Sequence, residues 1–141
     1  MEKKSTGDLS QELMDQPNLD AYIHANQEIF LERNLAELLS RLYDRNPISK
    51  VTLARCAGIS EVYLHQVFSG RRRPARDRLV CICIGLRATL EETQELLKQA
   101  GYAQLYPRNK REAIIAHGII HHTPLGEIND KLFVENEKTL F

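Results

Sequence analysis

The stretch that decides the fold of this chain is KVTLARCAGISEVYLHQVFSG, residues 50–70, followed directly by RRRPARDR. Its pattern predicts two short helices joined by a tight turn. Ser49 and Ser60 are suitable N-caps, because a serine hydroxyl accepts a hydrogen bond from an amide of the first helical turn. Gly58 suits the turn because a residue without a Cβ atom adopts positive φ at no steric cost. Ala54 is small enough for the second helix to cross the first at that position.

One helix is predicted on each side of this pair. Apolar residues recur at three- and four-residue spacing between positions 29 and 43, and Asn46-Pro47 ends that helix, since the residue before proline is pushed out of helical geometry. Pro74 suits the first turn of the helix that follows. The high apolar content of residues 79–86 predicts that this helix is mostly buried.

Three further helices are predicted towards the C-terminus. Thr89 and Glu92 form a capping-box pair at the start of one helix, which stops at Gly101. Apolar spacing predicts two more helices, at 110–121 and 125–134. Five helices with short connections in residues 27–101 leave no room for a sheet, so the expected fold class is all-α.

Composition predicts a globular chain. Of the 141 residues, 43% are apolar and 27% are charged, as in ordinary folded domains. No apolar run approaches the roughly 18–20 residues of a membrane span, and the start of the chain lacks a secretory pattern. Cys56, Cys81 and Cys83 are odd in number and lie in apolar helical patterns, which favours buried free thiols. We therefore expect a cytoplasmic protein with no membrane partner.

Charge is distributed very unevenly along the chain. Residues 45–78 carry eight Arg or Lys against two acids, Glu61 and Asp77, a local net charge of +6. Residues 1–44 have a net charge of −5, residues 79–141 a net charge of −1, and the whole chain is neutral. Such an uneven distribution of charge indicates a nucleic-acid partner for the basic segment only.

These residues carry a resemblance to a known family. The stretch from about Leu35 to Ala100, roughly half of the chain, resembles the lambda-repressor-like, Cro-type helix-turn-helix family (the XRE family) of bacterial and phage transcriptional regulators. The small residue, the turn glycine and the segment from Gly70 to Pro74 match the family pattern. The resemblance implies a five-helix DNA-binding bundle whose third helix enters the major groove. Residues 1–26 then form an acidic N-terminal arm, and 102–141 form a short helical extension.

The resemblance also implies which residues meet DNA. Lys50 and Ser60 match positions that set the register on the phosphates. Gln66 can bond adenine through two atoms, and Val62 can touch a thymine methyl group. Glu61 departs from the family's neutral amide: it could accept a hydrogen bond from cytosine, but it would repel phosphates. Base contacts are thus expected from Glu61, Val62 and Gln66.

Position along the chain predicts further phosphate contacts. Arg71, Arg72 and Arg73 follow the third helix of the bundle directly and share that neighbourhood with Arg76. Tyr63 has two readings, a hydrogen bond to phosphate or packing beneath the turn. The expected phosphate contacts are Lys50, Ser60, Tyr63, Arg71, Arg72, Arg73 and Arg76.

Two other side chains near the reading helix have predicted positions. His65 is expected to face away from DNA or to pack at the surface. Phe68 stands where the family often has an acid, and it is expected to pack against the C-terminal extension.

Neither a metal site nor an enzyme is expected. His117, His121 and His122 lie close together, and a spacing of four residues can bind zinc when a third ligand is present. Glu127 lies beyond Pro124, and no recognised motif places a nucleophile or a general base. A pH-sensitive surface cluster ranks above a metal site, but histidines without a special function are the favoured interpretation, and no cofactor is predicted.

The expected function is sequence-specific transcriptional regulation, as a repressor that binds double-stranded DNA as a homodimer. The expected location of this bacterial or phage protein is the bacterial cytoplasm, with association to the nucleoid when it is bound. The alternative is an antitoxin or adaptor that keeps the fold and binds another protein. Residues 102–141 are rich in apolar side chains, so this segment docks on the bundle, forms the dimer interface or receives a signal. The sequence leaves these three roles open.

Overall fold

The computed structural model describes residues 5–25 and 35–141. The chain divides into two compact units, Met1–Asn34 and Leu35–Phe141. In the described ranges every regular element is a helix, nine in all, and there is no strand. The predicted all-α class is confirmed.

The first unit contains α1 (Thr6–Asp15) and α2 (Leu19–Ala25). A capping box starts α1, because the Ser5 hydroxyl accepts from the Asp8 amide at 3.1 Å and the Asp8 carboxylate accepts from the Ser5 amide. The polar sequence of the arm predicts one helical turn around Leu9 to Met14, and the structure has a helix of ten residues there. The helix predicted from position 29 lies partly outside the described residues.

The second unit carries the other seven helices. They are α3 (Leu35–Asp44), α4 (Lys50–Ala57), α5 (Glu61–Phe68), α6 (Arg76–Gly85), α7 (Leu90–Gln99), α8 (Lys110–Ile120) and α9 (Leu125–Val134). The predicted N-caps Ser49, Ser60 and Thr89 are confirmed, since each hydroxyl accepts a hydrogen bond from an amide three residues ahead at 3.1 Å.

The predicted start of α6 is wrong by two residues. The helix begins at Arg76 with Ala75 as N-cap, and Pro74 lies before it, buried and outside the helix. The Pro74 carbonyl accepts a hydrogen bond from the Tyr102 hydroxyl at 2.7 Å. This contact fixes Pro74 as part of the connection between α5 and α6.

The turn between α4 and α5 forms as predicted. Gly58 has φ +66°, and its amide donates to the carbonyl of Ala54, as does the Ile59 amide at 3.0 Å. Behind the turn, α6 crosses α4 closely: a Cβ on Gly85 would lie 3.0 Å from the Leu53 Cδ1 atom. This close approach places α6, which is mostly buried, directly behind α4.

Residues 102–141 dock on the bundle within the same compact unit. Leu105, Ile115 and Leu132 are each less than 5% exposed. The Gln94 side chain makes two hydrogen bonds with the main chain of Leu105, at 2.7 and 2.9 Å, which ties the extension to α7. Of the three roles left open by the sequence, docking is the one that the structure shows.

A polar bridge fixes the end of the extension. Arg111 of α8 pairs with Asp77 of α6 at 3.1 Å and donates to the Lys138 carbonyl at 2.7 Å. Leu140 is 4% exposed, and its amide donates to the Asn129 Oδ1 atom at 2.7 Å. Residues 138–141 are therefore held by both α8 and α9.

The cysteines are free thiols, as predicted, but only two of them are buried. Burial raises the pKa of Cys81 to about 11 and that of Cys83 to about 12, so both are protonated at neutral pH. Cys56 is exposed, and the prediction that it is buried is wrong. It lies beside Arg55 on the solvent side of α4, whose short apolar pattern does not reveal its orientation.

In the described part of the chain, each helix is too short or too polar to cross a membrane.

Replacing Gly118 with alanine should destabilise the protein by about 1–3 kcal/mol. A Cβ at this position would lie 2.5 Å from the Cδ1 atom and 2.6 Å from the Cγ1 atom of Ile128, so α8 and α9 would have to move apart. Gly126→Ala is the matched control, because a Cβ there meets no heavy atom within 4 Å. Urea unfolding should show the loss for Gly118→Ala alone. Equal midpoints for both variants would contradict this packing of α8 on α9.

Candidate nucleic-acid interface

Helix α5 lies on the surface with one face fully available to a partner. Leu64 and Val67 are buried, at 0% and 2% exposure, and they anchor the inner face. On the outer face Val62 is 68% exposed, Glu61 is exposed and Gln66 is partly exposed. The three residues predicted to contact bases thus share one side of a helix, as their spacing requires.

The outer face of α5 also includes His65, which was not predicted to contact bases. His65 is exposed and lies three residues after Val62 and four after Glu61, so it shares their side of the helix. Of the two positions expected for His65, facing away from DNA or packing at the surface, its exposure fits the second. The spacing of three residues from Val62 and four from Glu61 was the sequence signal that could have placed His65 on this face.

The turn residues hold α4 and α5 together as the sequence predicts. Ala54 is 3% exposed, and Gly58 has the left-handed conformation that ends α4. The Ser60 hydroxyl caps α5 by accepting from the Tyr63 amide at 3.1 Å. Ser60 therefore has a structural role at the helix start, and its own hydroxyl proton remains free to donate to a phosphate.

Arg71 and Arg72 continue directly from α5. Their amides donate to the Gln66 carbonyl at 2.9 and 3.2 Å, so the chain stays close to the helix end. The Arg72 guanidinium lies over the Tyr63 ring, 5.0 Å from its centroid. A cation–π contact positions the group without neutralising it. The Tyr63 ring thus packs against an arginine. The two roles predicted for Tyr63, a hydrogen bond to phosphate and packing beneath the turn, stay predictions.

Lys50, the first residue of α4, is positioned in a similar way. Its Nζ atom lies 4.8 Å from the Tyr43 ring centroid and 4.4 Å from that of Phe68. The two rings meet edge to face at 5.6 Å. Phe68 therefore packs with α3 and α4, and it was expected to pack against the C-terminal extension. The expectation relied on the family comparison and did not consider Tyr43.

Arg73 and Arg76 bond to partners within the chain. The Arg73 guanidinium donates to the Ala100 carbonyl and lies 4.5 Å from the Tyr102 ring centroid. Arg76 pairs with Glu112 at 2.8 Å and donates to the Ala103 carbonyl at 2.9 Å. The phosphate contacts predicted for these two arginines remain predictions, and this geometry gives both side chains a second role in holding the C-terminal extension.

Arg45 is a further cation of the basic segment that is already paired. It binds Glu92 of the α7 capping box. Burial raises the pKa of Glu92, but hydrogen bonds from Thr89 and Arg45 outweigh it and lower that pKa overall. Arg45 is therefore a weaker candidate for a DNA contact than the cations beside α5.

The remaining positive charge surrounds α4 and α5. Arg55 is exposed on α4, and Arg71 and Arg72 are exposed after α5. Asp77, one of the two acids in the basic segment, is taken up by Arg111, which leaves Glu61 as the acid on the outer face. The surface that carries α5 thus keeps a positive local charge.

The histidine pair of α8 lies elsewhere in this unit. The rings of His117 and His121 are 4.3 Å apart between centroids. Within residues 5–25 and 35–141, no group of three His, Cys, Asp or Glu side chains is placed to hold a metal ion. His122 turns away from the helix with φ +54°.

Family models, curated proteins and solved structures provide no match to this chain.

Proposed function

We propose that this protein is a sequence-specific DNA-binding regulator of transcription that inserts α5 in the major groove of double-stranded DNA. The observation that carries the proposal is the outer face of α5, where Val62 is exposed and Gln66 partly exposed, while the same helix holds two cations against its rings, Lys50 on Phe68 and Arg72 on Tyr63. A helix of this kind fits the major groove, and its flanking cations fit the phosphates on either side.

In this proposal α3 to α7 are the five helices of a lambda-repressor-like bundle, and α5 is the third of them. Supporting this reading, α4 and α5 are joined by a short turn with a left-handed glycine, and α6 packs closely behind α4. The protein would act as a repressor by occupying an operator as a homodimer, since two copies double the contacts and set the spacing of half-sites.

Each predicted contact has a specific role in the proposal. Gln66 and Val62 read adenine and the thymine methyl group, and Glu61 accepts from cytosine. Lys50 and Arg72, both held against aromatic rings of α5, bind phosphates beside that helix. His65 joins the base-contacting face, because it is exposed and lies three residues after the exposed Val62 in α5.

Selection of bound duplexes from a random pool, at two salt concentrations, tests the proposal. The protein should enrich one motif, and a two-fold symmetric motif would identify a homodimer. The enriched duplex should bind at least about 1,000-fold more tightly than random duplex. A pool that remains random at both salt concentrations would exclude sequence-specific regulation by this chain.

Replacing Arg72 with alanine should weaken binding to every duplex by a similar factor. The variant loses one phosphate contact, so the slope of log affinity against log salt should fall by about 0.9. Arg108→Ala is the control, since Arg108 is an equally charged, exposed residue in the loop between α7 and α8. Fluorescence anisotropy with labelled duplex over a salt series measures both slopes. Identical slopes for the two variants would remove Arg72 from the interface.

An antitoxin or adaptor that binds another protein is the second candidate function. It is favoured by an apolar surface at the end of α9, where Phe133 is 75% exposed and Val134 is 71% exposed. Adjacent exposed apolar side chains are a feature of protein-binding surfaces. In the pool experiment this function predicts no enriched motif for the protein alone.

A further inference from the structure

A cavity of about 490 Å³ lies between the α4–α5 turn and the C-terminal extension. Its size falls within the range of small-molecule sites, about 300–1,000 Å³. Arg55 and Gly58 contribute one wall, and Leu125 with the ring of Phe141 contributes another. The cavity therefore lies where residues 122–141 of the C-terminal extension pack beside the α4–α5 turn, two segments that are more than 60 residues apart in the sequence.

The lining of this cavity is apolar with a positive rim. Ile48, Ile84 and Leu125 form apolar surface, whereas Arg55 and Arg87 add two guanidinium groups. No Asp or Glu side chain lines it, and neither arginine forms an ion pair with any residue in the described ranges. A ligand that combined an apolar body with a negative group would complement both features.

A second cavity of the same unit provides a contrast. It has about 540 Å³ and an apolar floor, but Glu91, Glu92 and Glu95 all line it alongside Arg41 and Arg45. Its three acids outnumber its two cations, so it offers no net attraction to an anion. The positive lining therefore distinguishes the cavity beside Gly58 from this one.

The backbone around the cavity holds two non-glycine residues in a rare conformation. Arg87 has φ +55° and His122 has φ +54°, and both line the cavity. Both residues end a helix in a left-handed cap: the Ala88 amide donates to the Cys83 carbonyl at 3.0 Å, and the Thr123 amide donates to the Gly118 carbonyl at 2.8 Å. Here the conformation coincides with a guanidinium and an imidazole that could bond an anion.

We propose that this cavity binds a small carboxylate with an apolar body, which places its carboxylate against Arg55, Arg87 and His122. The apolar body lies among Ile48, Ile84 and Leu125. The proposal goes beyond the DNA-binding function and does not depend on it, since the site is formed by the protein alone.

Sodium octanoate tests the proposal, with 1-octanol as an uncharged probe that has the same apolar chain. Titration of the ¹⁵N-labelled full chain should give saturable amide shifts around Gly58 and Gly126 with octanoate. Octanol should bind at least about tenfold more weakly, because it forms no charge-assisted hydrogen bond. Equal affinities for the two probes, or no saturable shifts with octanoate, would overturn the proposal.

Variants separate the site from adventitious binding. The double variant Arg55→Gln with Arg87→Asn removes both charges, and asparagine tolerates the positive φ at position 87. Its octanoate affinity should fall at least about tenfold, with no change in Arg108→Gln. Equal losses in the two variants would show nonspecific attraction and would overturn the proposal.

A cavity-filling variant provides a control that keeps both charges. Gly126→Leu places a side chain where a Cβ has no neighbour within 4 Å, so the fold should be retained. The dispersion of the amide chemical shifts in the NMR spectrum would verify this. The variant should lose octanoate binding because the leucine occupies part of the cavity. Unchanged affinity in a folded Gly126→Leu protein would place the ligand elsewhere.

Discussion

A glutamate in place of Val62 should lower the affinity for duplex DNA by about 100-fold, since like charges that are brought together across an interface cost several kcal/mol. The new carboxylate would stand beside Glu61 on the outer face of α5 and would meet the phosphates and base edges of the groove. Val62 is 68% exposed, so the substitution should leave the folded structure intact.

The chain supplies a close control for this variant. Val134 is 71% exposed on α9, and Val134→Glu makes the same chemical change on a helix that the proposal keeps away from DNA. Anisotropy titrations of both variants with the selected duplex, alongside circular dichroism, compare them directly. If Val134→Glu lost as much affinity as Val62→Glu, net charge alone would explain the effect and α5 would not be the reading helix.

Replacing Arg111 with methionine should destabilise the protein by about 1.5–3 kcal/mol, the range for hydrogen bonds that involve charged groups. Arg111 is 15% exposed in its side chain and bridges Asp77 to the carbonyl of Lys138. Its removal leaves a partly buried carboxylate with only the more distant Lys138 ammonium, at 3.9 Å. Urea unfolding should show a lower midpoint with an unchanged slope.

Lys110→Met is the matched control for Arg111→Met. Lys110 is the preceding residue of α8, and its ion pair with Glu135 lies at the surface, with the lysine side chain 58% exposed. Exposed pairs of this kind contribute little, so the midpoint should stay close to that of the wild type. A midpoint for Arg111→Met as high as that of Lys110→Met would show that the bridge does not hold the extension.

Local signals made much of the fold predictable. Ser49, Ser60 and Thr89 act on amides three residues away, so their sequence context contains nearly all the information that a cap requires. Gly58 has the left-handed conformation that its position predicts. The exposed position of Val62 also followed, because the apolar spacing of a helix fixes which side is buried.

Local sequence did not predict which groups the long charged side chains would bind. Arg73 and Arg76 bond to carbonyl groups 27 residues further along the chain, and Arg111 finds Asp77 across 34 residues. Sequence adjacency grouped Arg73 and Arg76 with Arg71 and Arg72, whereas tertiary packing separates them.

The cavity beside Gly58 lay equally beyond sequence reasoning. Its guanidinium groups come from Arg55 on α4 and Arg87 after α6, and its other walls come from the C-terminal extension. These residues share no motif or spacing, because only the packing of the extension on the bundle brings them together.

The stacking of Arg72 on Tyr63 and of Lys50 between Tyr43 and Phe68 has a consequence for the thermodynamics of association. A free arginine or lysine side chain gives up about 2 kcal/mol of rotamer entropy when it is immobilised. Both side chains are already restricted before any partner arrives. A polyanion that binds them would therefore meet preorganised charges, and the entropic penalty of complex formation would be correspondingly small.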